Sequence, residues 1–319
     1  MMMSWTGMRR GRMAGVMLGA MVLASCGGGE PIERFIPTRL IVIGDESSVI
    51  NSDGSKFTIN ALVADTATLD CLANPLWVQA LASAYGLQFA QCPTLAGAVV
   101  TAQVFAVAGA KVADLPRQID AVGAFAEKDL VTLLAGANDI FEQYALFNTT
   151  VNGLLQTEEV LTAKLEALGE TLASQVNRIA NAGGKVLIST VPDLGLTPFA
   201  VGDEAANVGR AAMLSRLSKR FNAKLRIKII NDGRRIGLLL TDELVQAIIR
   251  NPGGSGFVNV TVAACDAALA PVVTGCTTNN LIAGAGATTY LWANDRLLTS
   301  GGHRFLGNLA LTRAANNPF

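Results

Sequence analysis

Two kinds of hydrophobic pattern alternate along the chain from Arg39 onward. The first is a short, unbroken apolar run, as in "LIVIG" (Leu40–Gly44), "AQVFAVAGA" (Ala102–Ala110), "DLVTLLAGAND" (Asp129–Asp139), "KVLISTVPDLG" (Lys185–Gly195) and "RIGLLLTDE" (Arg235–Glu243). Runs without polar alternation predict strands buried on both faces, the condition of a parallel sheet. The second pattern has helical spacing. It covers Leu76–Gly86, Leu115–Lys128, Glu158–Ala182 and Asn207–Asn231, with Gly86 and Gly183-Gly184 as stop signals. Strands alternating with helices predict an α/β fold, a parallel sheet covered by helices on both sides. No repeat or linker interrupts residues 39–319, so they read as one domain. Within it, Ser255–Leu291 is rich in Gly, Ala, Thr and Asn and reads as a long, site-shaping loop.

In such a sheet the carboxyl ends of the strands gather around one crevice. Three loops have the character to meet there: Gly44–Ser48, Ala108–Ala110 and Gly136–Asp139. Gly109 lets a backbone N–H approach a ligand closely, and Asn138 can aim a side-chain N–H at the same point. A backbone donor beside an Asn donor is the arrangement of an oxyanion hole. Taken alone, "GAND" is also an ordinary turn sequence. Asp45 and Asp193 read as loop carboxylates that anchor backbone N–H groups, and Trp77 and Trp292 as core or crevice wall.

Composition narrows the chemistry. Half of the 319 residues are hydrophobic, enough for a large core, and the formal net charge is zero, with no basic surplus to attract nucleic acid. The only histidine is His303, which excludes a His-rich metal site and makes His303 the one imidazole base available. The N-terminus carries Arg9, Arg10 and Arg12, then the apolar run Met13–Val22, then "LASC" (Leu23–Cys26) and three glycines. This resembles a bacterial lipoprotein signal. The resemblance implies removal of residues 1–25, lipidation of Cys26, a tether over 26–38, and an outer-membrane protein facing the periplasm, since Gly27 and not Asp follows the cysteine. The other reading is a plain secretory signal with a chance cysteine. Processing would remove three arginines and no acidic residue, leaving a net negative chain. Cys71, Cys92, Cys265 and Cys276 then remain, an even number that suits disulfides in an exported protein. Three connectivities are open, of which nearest-neighbour pairing closes the loops 71–92 and 265–276.

Several blocks together resemble the SGNH/GDSL hydrolase family of esterases and lipases. "IVIGD", "VFAVAGA" and "LLAGANDI" are similar to its first three blocks, and "NPLWVQALASAYGL" to the helix after the first. "VPDLGLTPFA", "LSKRFNAKL", "NPGGSGFVNVTVAACD" and "LWANDRLLTSGGHRFLG" follow in family order, from about Leu40 to about Leu311. The resemblance implies a flavodoxin-like three-layer sandwich. It also implies ester hydrolysis by a Ser-His-Asp triad with no metal or cofactor, and oxyanion donors at Gly109 and Asn138.

The triad is where this chain departs. The nucleophile position falls on Glu46. Aligned on Thr299, Gly302 and His303, the catalytic Asp falls on Asn294 and the catalytic His on Leu297. A carboxylate at the nucleophile position would accept the N–H bonds meant for a transition state, and leucine accepts no proton. Two readings follow. One is a catalytically degenerate lipoprotein that binds an acyl, acetylated or glycan-type ligand or an envelope partner. The other is an active esterase with Ser47 as nucleophile, His303 as base and Asp295 as its orienter.

Overall fold

A computed structural model describes residues 35–94, 97–230 and 232–316, all within the compact unit Arg34–Phe319. The signal segment 1–25, Cys26 and most of the 26–38 tether lie outside the described residues.

Five strands form one parallel sheet: β1 (Arg39–Gly44), β2 (Ala102–Val104), β3 (Asp129–Leu134), β4 (Lys185–Ser189) and β5 (Ile236–Leu239). Their spatial order is β2-β1-β3-β4-β5. The chain leaves β1 in one direction to β2 and returns to the other side for β3, so the loops after β1 and β3 flank the switch point where such sheets bind ligands. Side-chain alternation splits the sheet between two cores. Ile41, Ile43, Val131, Leu133, Val186 and Ile188 pack against α2 (Leu115–Val122), α4 (Glu158–Asn181) and α6 (Arg210–Lys228). Leu40, Val42, Leu130, Leu134 and Leu187 pack on the other face, against α1 (Trp77–Ala84) and α8 (Ser300–Asn316). The remaining helices are α3 (Ala137–Ala145), α5 (Pro198–Ala206) and α7 (Thr241–Arg250). Among the described residues no helix is long and apolar enough to cross a membrane.

Local signals account for the departures from the sequence expectations. The helix expected over 115–128 stops at Val122 because Gly123 turns to φ +78°. The run 235–243 is a strand only to Leu239. Thr241 opens α7, whose first turn holds Asp242 and Glu243, the favoured charge at a helix N-terminus. Helix α6 is shorter than the expected 207–231 and follows Gly209 at φ +90°. Ser255–Leu291 is more than a loop, since β6 (Asn259–Ala263) pairs in parallel with β7 (Tyr290–Trp292). Trp77 and Trp292 are fully buried core residues.

The disulfides are Cys71–Cys92 and Cys265–Cys276, the nearest-neighbour pairing. One short segment, Lys56–Asn60, ties both stapled loops together. The buried Lys56 ammonium donates to the carbonyls of Cys71, Ala73 and Asn74 at 2.9, 2.7 and 3.0 Å. The Asn60 backbone N–H donates to the Cys276 carbonyl at 2.8 Å, and its side-chain amide to Thr274 O at 3.1 Å. Between them the Thr58 hydroxyl donates to Leu298 O at 3.0 Å.

At the end of β1 the backbone passes so close to β3 that a Cβ on Gly44 would stand 1.9 Å from Leu134 O, and Gly44 has φ +134°. Gly44→Ala therefore combines strain with a backbone clash. We expect it to lower unfolding stability by about 3 kcal/mol or more in urea denaturation. A variant as stable as the parent would show that this crossing does not constrain the loop.

Candidate functional site

The crevice is assembled from the carboxyl ends of β1 and β3. Gln118, buried in α2, holds both backbone groups of Gly44: its Oε1 accepts the Gly44 N–H at 2.8 Å and its Nε2 donates to Gly44 O at 3.0 Å. Asp45 follows, fully buried, and its Oδ1 accepts the Ser47 N–H at 3.0 Å to cap the single 3₁₀ turn Glu46–Ser48. Its other oxygen is buried without a partner among the described residues. Burial, and then the neighbouring Glu46 charge, hold the Asp45 pKa well above the usual carboxylate range.

With the turn fixed, the Glu46 side chain reaches across the crevice. Its Oε2 accepts the Gly109 N–H at 2.8 Å and the Asn138 Nδ2–H at 2.9 Å. The two donors expected to form an oxyanion hole therefore converge, and both are engaged by a carboxylate of the same chain. They are held in place independently of Glu46. Gly109 sits at φ +75°, a conformation that favours glycine. Asn138 also donates to Ala110 O at 3.1 Å. The buried Asp139 accepts the Val112 N–H at 3.0 and 3.3 Å, tying the 109–112 segment to the start of α3. Burial raises the Asp139 pKa to about 6. Asp193 is a turn anchor as expected, accepting from the Gly195 N–H at 3.2 Å and the Ser215 hydroxyl at 2.6 Å.

A cavity of ≈ 40 Å³ lies beside this carboxylate, and Glu46, Ser47, Asn138, Leu297 and His303 all line it. The structure thus brings the substituted nucleophile and histidine positions, Glu46 and Leu297, to one place. Asn294 acts differently: its Oδ1 accepts the N–H groups of Arg296 and Leu297 at 2.9 and 2.7 Å, shaping the loop that presents Leu297. Ser47 and His303 share the cavity, but no hydrogen bond joins them. His303 is buried in the first turns of α8 and neither ring nitrogen has a partner among the described residues. Burial, followed by the Lys56 charge, lowers its pKa to about 3. The expectation that Asp295 orients His303 is not met: the Asp295 carboxylate is exposed and pairs with Arg296 at 3.4 Å.

Residues that the sequence did not single out complete the setting. Gln118 and Asp139 position the loops. Arg296, at the cavity wall, lays its guanidinium over the rings of Phe141 and Phe199, 4.3 and 4.6 Å from their centroids. A Gln inside an amphipathic helix and an Arg in an irregular loop carry no signal of such roles.

With the geometry in hand, the comparisons are informative. Residues 69–243 match the GDSL-like lipase/acylhydrolase family, more than half of the chain, and the protein belongs to that family. The matched residues include Gly109 and Asn138 but neither the 44–48 loop nor the 294–303 segment, where the substitutions lie. The five-stranded parallel sheet between helices is the SGNH-hydrolase fold. Similar solved structures include Axe2, an acetylxylan esterase from Geobacillus stearothermophilus (14% identity, 89% of this chain and 98% of that chain, TM-score 0.42). Others are the acetyl xylan esterase AlAXEase (12%, 86% and 98%, 0.44) and LAE5, an α/β hydrolase enzyme from the metagenome of Lake Arreo, Spain (14%, 87% and 94%, 0.42). No curated protein matches the sequence.

The depressed His303 pKa fixes a pH dependence. Between about pH 6.5 and about 3 the unfolded chain protonates its imidazole while the folded protein does not, so stability falls as pH falls. The raised pKa of Asp139 acts in the opposite sense between about 3.8 and about 6. The stability difference between the parent and His303→Leu isolates the first effect. We expect it to shift against the parent by up to about 1.4 kcal/mol per pH unit below pH 6.5, measured by urea denaturation. A flat difference would show that the imidazole is hydrated.

Proposed function

We propose that this protein is a non-hydrolytic member of its family that works by binding. The observation that carries this reading is the Glu46 carboxylate hydrogen-bonded to both Gly109 and Asn138. Charge-assisted bonds of this kind are roughly twice as strong as those to a neutral carbonyl, and Glu46 is held beside its donors by the chain itself. An ester entering the crevice would have to displace it. The rest of the catalytic apparatus supports the same conclusion. Leu297 cannot take a proton, and an imidazole with a pKa near 3 is a feeble base at neutral pH. A retained crevice with an apolar cavity suits an acyl or glycan-type ligand, or an envelope partner that presents one.

The shared cavity of Ser47 and His303 favours a second reading, an esterase with a relocated pair. The two make different forecasts. In p-nitrophenyl acetate and butyrate assays, the binding protein shows no turnover above the buffer rate. A relocated pair gives turnover that Ser47→Ala and His303→Ala each abolish, and that result would overturn our reading. The combined variant Glu46→Ser, Asn294→Asp, Leu297→His restores the family residues around intact donors. We expect it to gain measurable hydrolysis of the acetate ester, at least tenfold above the parent, because a positioned triad member is worth orders of magnitude.

The N-terminal signal supports placement as a lipid-anchored protein of the bacterial envelope, at the outer membrane and facing the periplasm. Fatty-acid labelling of the parent is then expected, with the label lost in Cys26→Ser. A parent that takes up no label would exclude a lipid anchor at that residue.

A further inference from the structure

The cavity beside Glu46 contains a buried polar side chain with no partner among the described residues. It is His303, only 1% exposed, neither of whose ring nitrogens bonds to a described residue. A neutral imidazole offers one N–H donor and one lone-pair acceptor, and leaving both unmade in a buried place is costly. Ser47, half-buried on the same wall, turns both its backbone N–H and its hydroxyl toward Asp45, which leaves the hydroxyl oxygen as an acceptor. Thr241, the remaining hydroxyl on the wall, is already bonded to Ser189 at 2.6 Å. Asn138 and Arg296 also reach the wall, the first bonded to Glu46 and the second stacked on Phe141 and Phe199, and the rest is apolar, with Leu134, Phe141, Leu194 and Leu306 among it.

Size and charge select what fits. A cavity of ≈ 40 Å³ compares with roughly 10–15 Å³ for one water, so it admits about three or four non-hydrogen atoms. An anion would meet the Glu46 carboxylate at the wall, and the one cation there, Arg296, is already paired with Asp295 and stacked on Phe141 and Phe199. A cation would lose its hydration among leucines, with a carboxylate already committed to Gly109 and Asn138. An uncharged group with one donor and one acceptor remains.

We propose that this cavity receives an uncharged hydroxymethyl group, –CH2–OH, whose hydroxyl bonds to His303 and Ser47 while its carbon packs on Leu134, Phe141 and Leu306. A free short alcohol carries this group, and so does the arm of a sugar or a glycerol unit. The inference rests on the binding reading of the site, but its test is separate. Hydrolysis is read from released product, and occupancy from the imidazole.

The single histidine makes that readout unambiguous. The protein is labelled with 15N-histidine, purified without a histidine tag, and titrated with ethanol, glycerol and glucose while the His303 ring signals are followed. Acetonitrile, of ethanol's size but without a hydroxyl, serves as the control. We expect a saturable shift with a millimolar midpoint for at least one of the three hydroxyl carriers, since ligands this small rarely bind more tightly. Ser47→Ala should weaken that midpoint about fivefold, the value of one lost hydrogen bond. Saturation by ethanol alone would assign a small free alcohol, and saturation by glucose or glycerol the arm of a larger molecule. No saturable shift with any of them, water being the only occupant, would overturn the proposal. So would an equal response to acetonitrile, or an unchanged midpoint in Ser47→Ala.

Discussion

The site depends on one close crossing of backbones. Gly44 ends β1 against the carbonyl of Leu134, where no side chain has room, and Gln118 bonds to both of its backbone groups, sharing the carbonyl with the Val107 N–H. A parallel strand that runs past its neighbour leaves such groups unpaired, and a buried amide is the side chain that can satisfy a donor and an acceptor at once. Asn222 repeats the device at Val191, just past β4, bonding to its N–H at 3.0 Å and its carbonyl at 2.8 Å. Because Gly44 cannot shift, Asp45 must point inward and cap the next turn. Residue 46 is then aimed at Gly109 and Asn138 whatever its identity.

That constraint makes the substitution at position 46 intelligible. A serine there places a hydroxyl near the donors. A glutamate, two bonds longer, places a carboxylate on them. The donors are preorganised by Asp139, Ala110 and the backbone of Gly109, so the carboxylate finds them at bonding distance without rearrangement. The cluster carries three acids within a few residues of the two loops. The buried ones, Asp45 and Asp139, have raised pKa values, and Glu46 alone reaches the two donors. The fold has kept an anion-binding geometry and supplied the anion from its own chain.

Much of this was legible in the sequence. The unalternating runs identified all five strands of the sheet, and their loops identified Gly44–Ser48, Gly109 and Asn138 as neighbours across some ninety residues of chain. The bond between Glu46 and those donors followed from side-chain chemistry once the loops were placed together. Helices α3 and α5 were hidden because each is nine residues long and begins in a motif, "GAND" or "DLGLTP", that looks like a turn. The ladder between β6 and β7 joins segments separated by a Gly- and Thr-rich stretch, and no local periodicity announces a pairing of that kind. The failure of Asp295 to meet His303 has a geometric cause: the 294–297 loop is folded about the Asn294 side chain, which presents Leu297 to the cavity and turns Asp295 to solvent.

The Lys56–Asn60 segment bears on the order in which the chain acquires structure. Asn60 needs the carbonyls of Thr274 and Cys276, and Thr58 needs that of Leu298, 240 residues further on. These acceptors do not exist until nearly the whole chain has been made. Lys56 finds its carbonyl partners 15–18 residues away, whereas the partners of Thr58 and Asn60 are among the most distant that a chain of this length can offer. One short segment thus joins a near loop and a far one, and its packing is complete only when the two ends of the chain have met.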